Sequence, residues 1–485
     1  LGILFYEISD FISAINSFSQ AIKYNPCFSE AYCNLGNIFL KNGEVNKAIY
    51  NFRRAIKFNK SYITAYCHLG NAFQKIDKFK SAINSYKKAL LIDSTNSEVH
   101  YNLGIAYYKT DQLDNSLMSF SQAIHFRPLY SEAYCNQGIV YKENCQLDCA
   151  KLSYQKAIEL NPNYQDALYN LGFLKLLCGD YISGWVGFDF RPDKLLISTS
   201  LDNNLFRWEG EKLKKEEKLL VVSEQGLGDT IQYMRYIPYL QKLGIDVSFC
   251  AQEKLHTLIK GSFIHPHPLT PMEADLTTEG KWIPLISIPR LLNVSPHNPI
   301  INQPYIYSTD ILIAKWKNIL SQEKKPIIGI NWQGNPKLEE TYRGRSIPLK
   351  TFSTLLSKND ISMLSLQKGC GSDQVEDCLF RDRFVKCQKE IDSTWDFLEN
   401  AAIIANCDLV ITCDTSIAHL AGGMGKPVWL LLRDVPFWTW GMESEQTFWY
   451  PSMKLFRQKE RYNWNEVMER VATHLIKYIM EIHNS

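Results

Sequence analysis

Residues 35–68, LGNIFLKNGEVNKAIYNFRRAIKFNKSYITAYCH, hold one full copy of a repeat, and Leu69-Gly70 opens the next. The pair returns every 34 residues, as Leu1-Gly2, Leu35-Gly36, Leu69-Gly70, Leu103-Gly104 and Leu171-Gly172, with Gln137-Gly138 as a variant. Twelve residues after successive glycines stand Ala14, Ala48, Ala82, Ser116 and Ala150. Four further on come Phe18, Phe52, Tyr86, Phe120 and Tyr154, and three beyond those Ala21, Ala55, Ala89, Ala123 and Ala157. Pro26, Pro128 and Pro162 close three of the units. A fixed period with small and aromatic residues at set offsets predicts a helix–turn–helix unit. Small residues let the two helices approach, and aromatics fill the gap beside them. One such unit cannot bury its apolar face alone, so the units are expected to stack into a superhelix with a long concave surface.

This pattern resembles the tetratricopeptide repeat over residues 1 to about 178. A degenerate unit follows, in which Gly184 and Phe188 keep the spacing but Arg191 replaces the closing alanine. Gly179 to Phe190, with Trp185, is expected to cap the stack. The expected plan is a solenoid over 1–190, a connector over 191–217, and an α/β pair over 218–320 and 321–485.

Composition sets the class. A chain of 485 residues with 45% hydrophobic and 21% charged residues is ordinary for a globular multidomain protein. A net charge of +2 speaks against a general nucleic-acid or membrane-surface binder. No apolar run approaches the ~20 residues of a membrane span. The chain starts at Leu1 inside a repeat, so further repeats or a targeting segment are expected upstream. Of thirteen cysteines, Cys33, Cys67 and Cys135 share one offset in different repeats, and no C-x-x-C pair occurs. They read as structural thiols of a reducing, cytoplasmic compartment, with no metal site.

From Leu219 the pattern turns to strands alternating with helices. Strands are expected at Leu219–Ser223, Val247–Cys250, Pro326–Asn331, Ile361–Leu366, Leu409–Cys413 and Pro427–Leu432, and a helix at Asp229–Leu243. Pro266 to Pro304 reads as irregular, with Trp282 to Leu292 lining a cleft. Two blocks of this kind imply two Rossmann-like halves facing one cleft.

Two motifs carry the chemistry. The first is SEQGLGDTIQ, Ser223 to Gln232, where Gln225, Gly226 and Gly228 bring backbone close to a ligand between strand and helix. Ile231 stands where the dinucleotide fingerprint needs a third glycine, which argues against a nicotinamide cofactor. Asp229 reads either as a helix N-cap or as a general base at the carboxyl end of the strand. The second motif is CDTSIAHLAGGMGKPVWLL, Cys413 to Leu431. Asp414, Thr415 and Ser416 sit where a strand ends and a helix begins, an anion site made of free amides and two hydroxyls. His419, one turn in, either faces the ligand or packs.

Together the motifs resemble GT-B glycosyltransferases related to the ADP-heptose:lipopolysaccharide heptosyltransferases (glycosyltransferase family 9), over roughly residues 218 to 460. The resemblance implies that Asp229 is the catalytic base and that Asp414, Thr415, Ser416 and His419 bind the donor diphosphate. It also implies a basic residue near the phosphates, for which Arg343, Arg345 and Lys368 are candidates. The chain contains no D-x-D, so metal-independent transfer from a nucleotide-diphosphate sugar, with no further cofactor, is expected. Inversion at the anomeric carbon is carried over from the family. Repeats joined to such a unit are similar in architecture to O-linked N-acetylglucosamine transferases, in which asparagines hold an acceptor peptide. Asn34, Asn102, Asn136 and Asn170 occupy that offset, with His68 breaking the row; the same offset is commonly asparagine in tetratricopeptide repeats at large. The expected acceptor is a protein or a glycan. The alternatives are a non-catalytic scaffold with a relic or sensory nucleotide-sugar domain, and a GT-B-fold epimerase.

Overall fold

The computed structural model describes residues 1–192, 205–214, 217–224, 226–339, 343–357 and 359–484. Contacts divide the chain into two compact units, 1–174 and 175–485.

The first unit is a run of antiparallel helix pairs, beginning Gly2–Glu7 with Phe11–Tyr24, then Ser29–Lys41 with Val45–Phe58, and so on at the predicted spacing. The geometry explains the period. A Cβ on Gly36 would lie 2.6 Å from the Phe52 ring, on Gly70 2.3 Å from Tyr86, and on Gly138 2.6 Å from Tyr154. Each glycine is thus the flat seat of the aromatic sixteen residues later, and any side chain there collides with a buried ring. Ser116, where the other units carry alanine, is fully buried and donates to Gly104 O at 2.7 Å, so its hydroxyl is satisfied. The turn inside each pair needs a left-handed residue: Ser9, Gly43, Asp77, Asp111, Cys145 and Gly179, again 34 apart, have φ between 56° and 86°.

In the second unit every named strand pairs in parallel. β1 (Phe206–Arg207), β2 (Lys218–Val222), β3 (Asp246–Cys250) and β4 (Lys281–Pro284) form one sheet in the order β1-β4-β2-β3. β5 (Ile327–Asn331), β6 (Ser362–Ser365), β7 (Leu409–Cys413), β8 (Val428–Leu432) and β9 (Met453–Arg457) form the other, ordered β6-β5-β7-β8-β9. The two sheets are consistent with two Rossmann-like halves, and the predicted fold class holds. Order reverses between β2 and β4 in the first sheet and between β5 and β7 in the second. Those switch points are where open parallel sheets place their ligands.

Four local expectations need correction. Residues 206–207, within the expected connector, form an edge strand on Lys281–Trp282. The segment from Trp282, expected to be irregular and to line a cleft, begins inside strand β4 between β1 and β2. The helix expected over Asp229–Leu243 is two, Leu227–Tyr233 and Tyr236–Lys242. Pro238 explains the break, because its ring clashes with the carbonyl of Met234 in a continuous helix. Strand β9 was not anticipated. The helix Tyr181–Phe188 lies in the second unit, where Trp185 packs edge-on to Trp438 at 5.0 Å and donates to Val294 O at 2.8 Å. Arg191 breaks the repeat pattern because its guanidinium pairs with Glu224 and Asp189 instead.

Candidate functional site

The two motifs meet. Helix Leu227–Tyr233 follows β2, helix Ser416–Gly423 follows β7, and the two pack against each other. A Cβ on Gly228 would lie 3.1 Å from His419 Cδ2 and 3.5 Å from Ser416 Cα. Glycine at 228 is therefore what lets the two halves close at this seam.

Asp229 lies in the first turn of its helix, and the N-cap is Gly226, so the capping alternative for Asp229 is corrected. Its carboxyl fills the space beside Gly226, whose Cβ would stand 2.1 Å from Oδ2. Burial first, then the like charges of Glu224 and Asp414, push the Asp229 carboxyl up to about 7, while Arg345 and Arg191 oppose the rise. Glu224 is held by Arg191, which also bonds Ser287. Gln225 lies outside the described residues.

The second wall is a buried polar network at the ends of β5, β6 and β7. Asn331 Oδ1 accepts from Thr415 Oγ1 at 2.9 Å and Thr412 Oγ1 at 3.3 Å. Gln367 Oε1 accepts from Asn331 Nδ2 at 2.9 Å and from the amides of Trp332 and Gln333. Because the Thr415 hydroxyl turns to Asn331, no side chain caps helix Ser416–Gly423. Burial raises the Asp414 carboxyl, which Arg345 and Trp440 partly offset. Arg345 Nε donates to Asp414 O at 2.6 Å, and Arg345 has no ion-pair partner among the described residues. Its loop is fixed by Glu339, which accepts from the amides of Gly344, Arg345 and Ser346 and from Ser346 Oγ. Beside it opens a cavity of about 370 Å³ lined by Gln333, Pro336, Glu339, Ser346, Pro348 and Gln374.

His419 is buried, accepts or donates at Nδ1 to Tyr450 Oη at 2.9 Å, and stacks on Trp440. Burial, with Arg235 and Arg345, pushes it down to about 3, so it is neutral. Lys368 donates to Ile391 O, and its described contact is not to the Asp414 loop. Burial lowers its ammonium to about 8. Among the described residues no group of three or more His, Cys, Asp or Glu is placed to hold a metal ion, and all thirteen cysteines are free.

In the repeats, Asn136 Nδ2 donates to Tyr101 Oη at 2.8 Å and Asn170 Nδ2 to Cys135 Sγ at 3.8 Å. Each ties a unit to the preceding one. The side chains of Asn34 and Asn102 have no hydrogen-bond partner among the described residues. Asn331, Gln367, Glu339 and Arg235 were missed by sequence reasoning; Asn331 was signalled only by a polar residue ending an apolar strand.

Family models described as TPR repeat match residues 2–43, 36–77 and 75–111, and tetratricopeptide-repeat models match 131–164 and 153–184. The N-terminal region is built of tetratricopeptide repeats. Protein FlbA of Caulobacter vibrioides is 25% identical over 328 residues, 62% of this chain and 53% of FlbA. The chain thus spans about half the length of that relative. The crystal structure of MamA is 25% identical, covering 33% of this chain and 95% of that one, with a TM-score of 0.32. YrrB, a TPR protein with an unusual peptide-binding site, is 25% identical, covering 37% and 95%, with a TM-score of 0.33. No helix among the described residues is long and apolar enough to cross a membrane.

Proposed function

We propose that this chain is a metal-independent glycosyltransferase that moves a sugar from a nucleotide-diphosphate sugar to a protein or glycan acceptor, the repeats capturing the acceptor. The observation that carries the reading is the packing of Gly228, next in sequence to Asp229, against the uncapped Ser416 helix, with Asp229 within the field of Asp414 and Arg345. A carboxylate poised near neutrality beside an anion-binding helix end is the pair that the reaction requires. Asp229 takes the proton from the acceptor hydroxyl, whose oxygen bonds to the anomeric carbon as the bond to the diphosphate breaks. The departing diphosphate carries the negative charge away. Arg345 and the first amides of the Ser416 helix offset that charge; each such donor is worth about 3 kcal/mol when removed. Asn331 and Gln367 hold the loop in place.

The test is a calorimetric screen of ADP-, UDP- and GDP-linked sugars, with Asp229→Ala alongside and EDTA present. Binding of one donor by both proteins, with transfer only by the wild type, supports the reading. A folded chain that binds no nucleotide would favour the scaffold.

A further inference from the structure

Arg235 stands between helices Leu227–Tyr233 and Tyr236–Lys242, 1% exposed among aromatic rings, and no carboxylate pairs with it among the described residues. Its nitrogens are nonetheless all used. Nε donates to Gln232 O at 2.7 Å, Nη1 to Trp449 O at 2.8 Å and Ile301 O at 3.1 Å, and Nη2 to Tyr305 Oη at 3.1 Å. The guanidinium lies over the rings of Tyr305 (4.5 Å), Tyr450 (4.7 Å) and Trp449 (5.6 Å). A buried cation without a counter-ion is costly unless hydrogen bonds and ring faces meet it, as they do here.

Its field falls on a chain of hydroxyls ending at His419. Tyr305 Oη gives its proton to Ile231 O at 2.8 Å. Tyr450 Oη has two neighbours for its own, Tyr305 Oη at 3.5 Å and His419 Nδ1 at 2.9 Å. The shorter contact decides, and the cation over the Tyr450 ring makes that phenol the better donor. Nδ1 is then the acceptor and Nε2 carries the hydrogen. Nε2 is 3.7 Å from the Cβ position of Gly228 and has no partner among the described residues. The charged groups whose field reaches the ring are Arg235 and Arg345, and both oppose a second proton on it.

We propose that Arg235 is a positioning residue that, through the Tyr450 hydroxyl, holds His419 as an Nε2–H donor aimed at the Gly228–Ser416 seam, where it meets a diphosphate oxygen of the leaving nucleotide. The choice of ligand rests on the transferase reading; the tautomer does not. A neutral donor suits a site whose ligand charge is already met by Arg345 and the helix amides, because it adds a direction without another charge to desolvate.

Long-range proton–nitrogen spectra of the full chain, with His419 assigned among the ten histidines by His419→Gln, test the lock. The expected result is a neutral Nε2–H ring, unchanged from pH 5 to 8. Tyr450→Phe, which removes one oxygen and keeps the ring, should give mixed tautomers and about tenfold weaker binding of the cognate nucleoside diphosphate. Arg235→Met should shift the same signals, and Tyr450→Phe keeps the test open if that variant does not fold. A wild-type ring that is protonated at Nδ1, or that titrates in this range, overturns the proposal. So does a Tyr450→Phe ring that keeps its tautomer. An intact lock in a chain that binds no nucleoside diphosphate supports the device and counts against the transferase instead.

Discussion

Gly228 and His419 touch across the two halves, and a methyl group on the glycine would stand 3.1 Å from the imidazole. The ring cannot easily yield, being stacked on Trp440 and bonded to Tyr450. Gly228→Ala should therefore separate the two motif helices. Overpacking of about 1–3 kcal/mol is partly offset by about 1 kcal/mol of helix propensity, leaving a modest loss of stability and a clear loss of nucleotide affinity. Gly226→Ala should behave differently. The atom nearest its methyl is Asp229 Oδ2, the far end of that side chain, so the carboxyl must shift while the helices stay in place. Denaturation should show near-normal stability, and turnover should be lost; normal turnover would remove Asp229 from the reaction.

Asp229 should leave a mark on stability as well as on rate. Its folded value is raised from 3.8 to about 7, so below 3.8 both folded and unfolded chains carry the proton and the site costs nothing. Between those values the unfolded chain ionises first, and stability falls as pH rises. Above about 7 the full penalty is present. Asp229→Asn should match wild type in thermal midpoint near pH 4 and exceed it at pH 8. Equal midpoints at pH 8 would contradict a raised carboxyl. The rate of transfer by wild type should rise along a limb near pH 7.

Arg345 both holds the Asp414 carbonyl of the proposed donor site and lowers Asp229. Arg345→Ala should weaken nucleoside-diphosphate binding at least tenfold and move the acid limb of the rate profile to higher pH. A phosphate contact alone would change affinity and leave the limb where it was. Arg345→Lys should keep much of the limb, since charge sets it, and less of the affinity, since the forked geometry is lost.

The repeats were legible because their constraint is local and recurs: the glycine and the ring it seats are sixteen residues apart in every unit. Strands β5, β7 and β8 were legible as apolar runs, all buried. β1 was not, because two residues carry no period and its partner Lys281–Trp282 lies far along the chain. The same distance hid Arg235, whose acceptors at Ile301 and Trp449 are 66 and 214 residues away. The motif residues Asp229, Thr415 and His419 could be picked from sequence, but Asn331 and Gln367, which hold Thr415, act across strand ends that only the sheet order makes adjacent.

The asparagine row divides by hydrogen bonding. Asn136 is committed to Tyr101, whereas the side chains of Asn34 and Asn102 have no hydrogen-bond partner among the described residues. With the repeats as acceptor groove, Asn34→Ala with Asn102→Ala should raise acceptor KM and leave the unfolding midpoint in place. Asn136→Ala should cost about 1 kcal/mol of stability. A double variant with unchanged KM for every acceptor would detach the amides from acceptor capture.

The left-handed turn positions allow the repeat region to be stabilised by design. A non-glycine residue in this conformation costs roughly 1–2 kcal/mol, while glycine costs about 0.5–1 kcal/mol in unfolded-chain freedom. Cys145, at φ 56° and exposed, carries a thiol where Asp77 and Asp111 carry the short carboxylates that favour this conformation. Cys145→Gly should therefore raise the urea midpoint of the repeats, Asp77→Gly should change it less, and Gly43→Ala should lower it. Circular dichroism at helix wavelengths reads all three. A fall with Cys145→Gly would mean that the thiol is held by contacts worth more than the strain it carries.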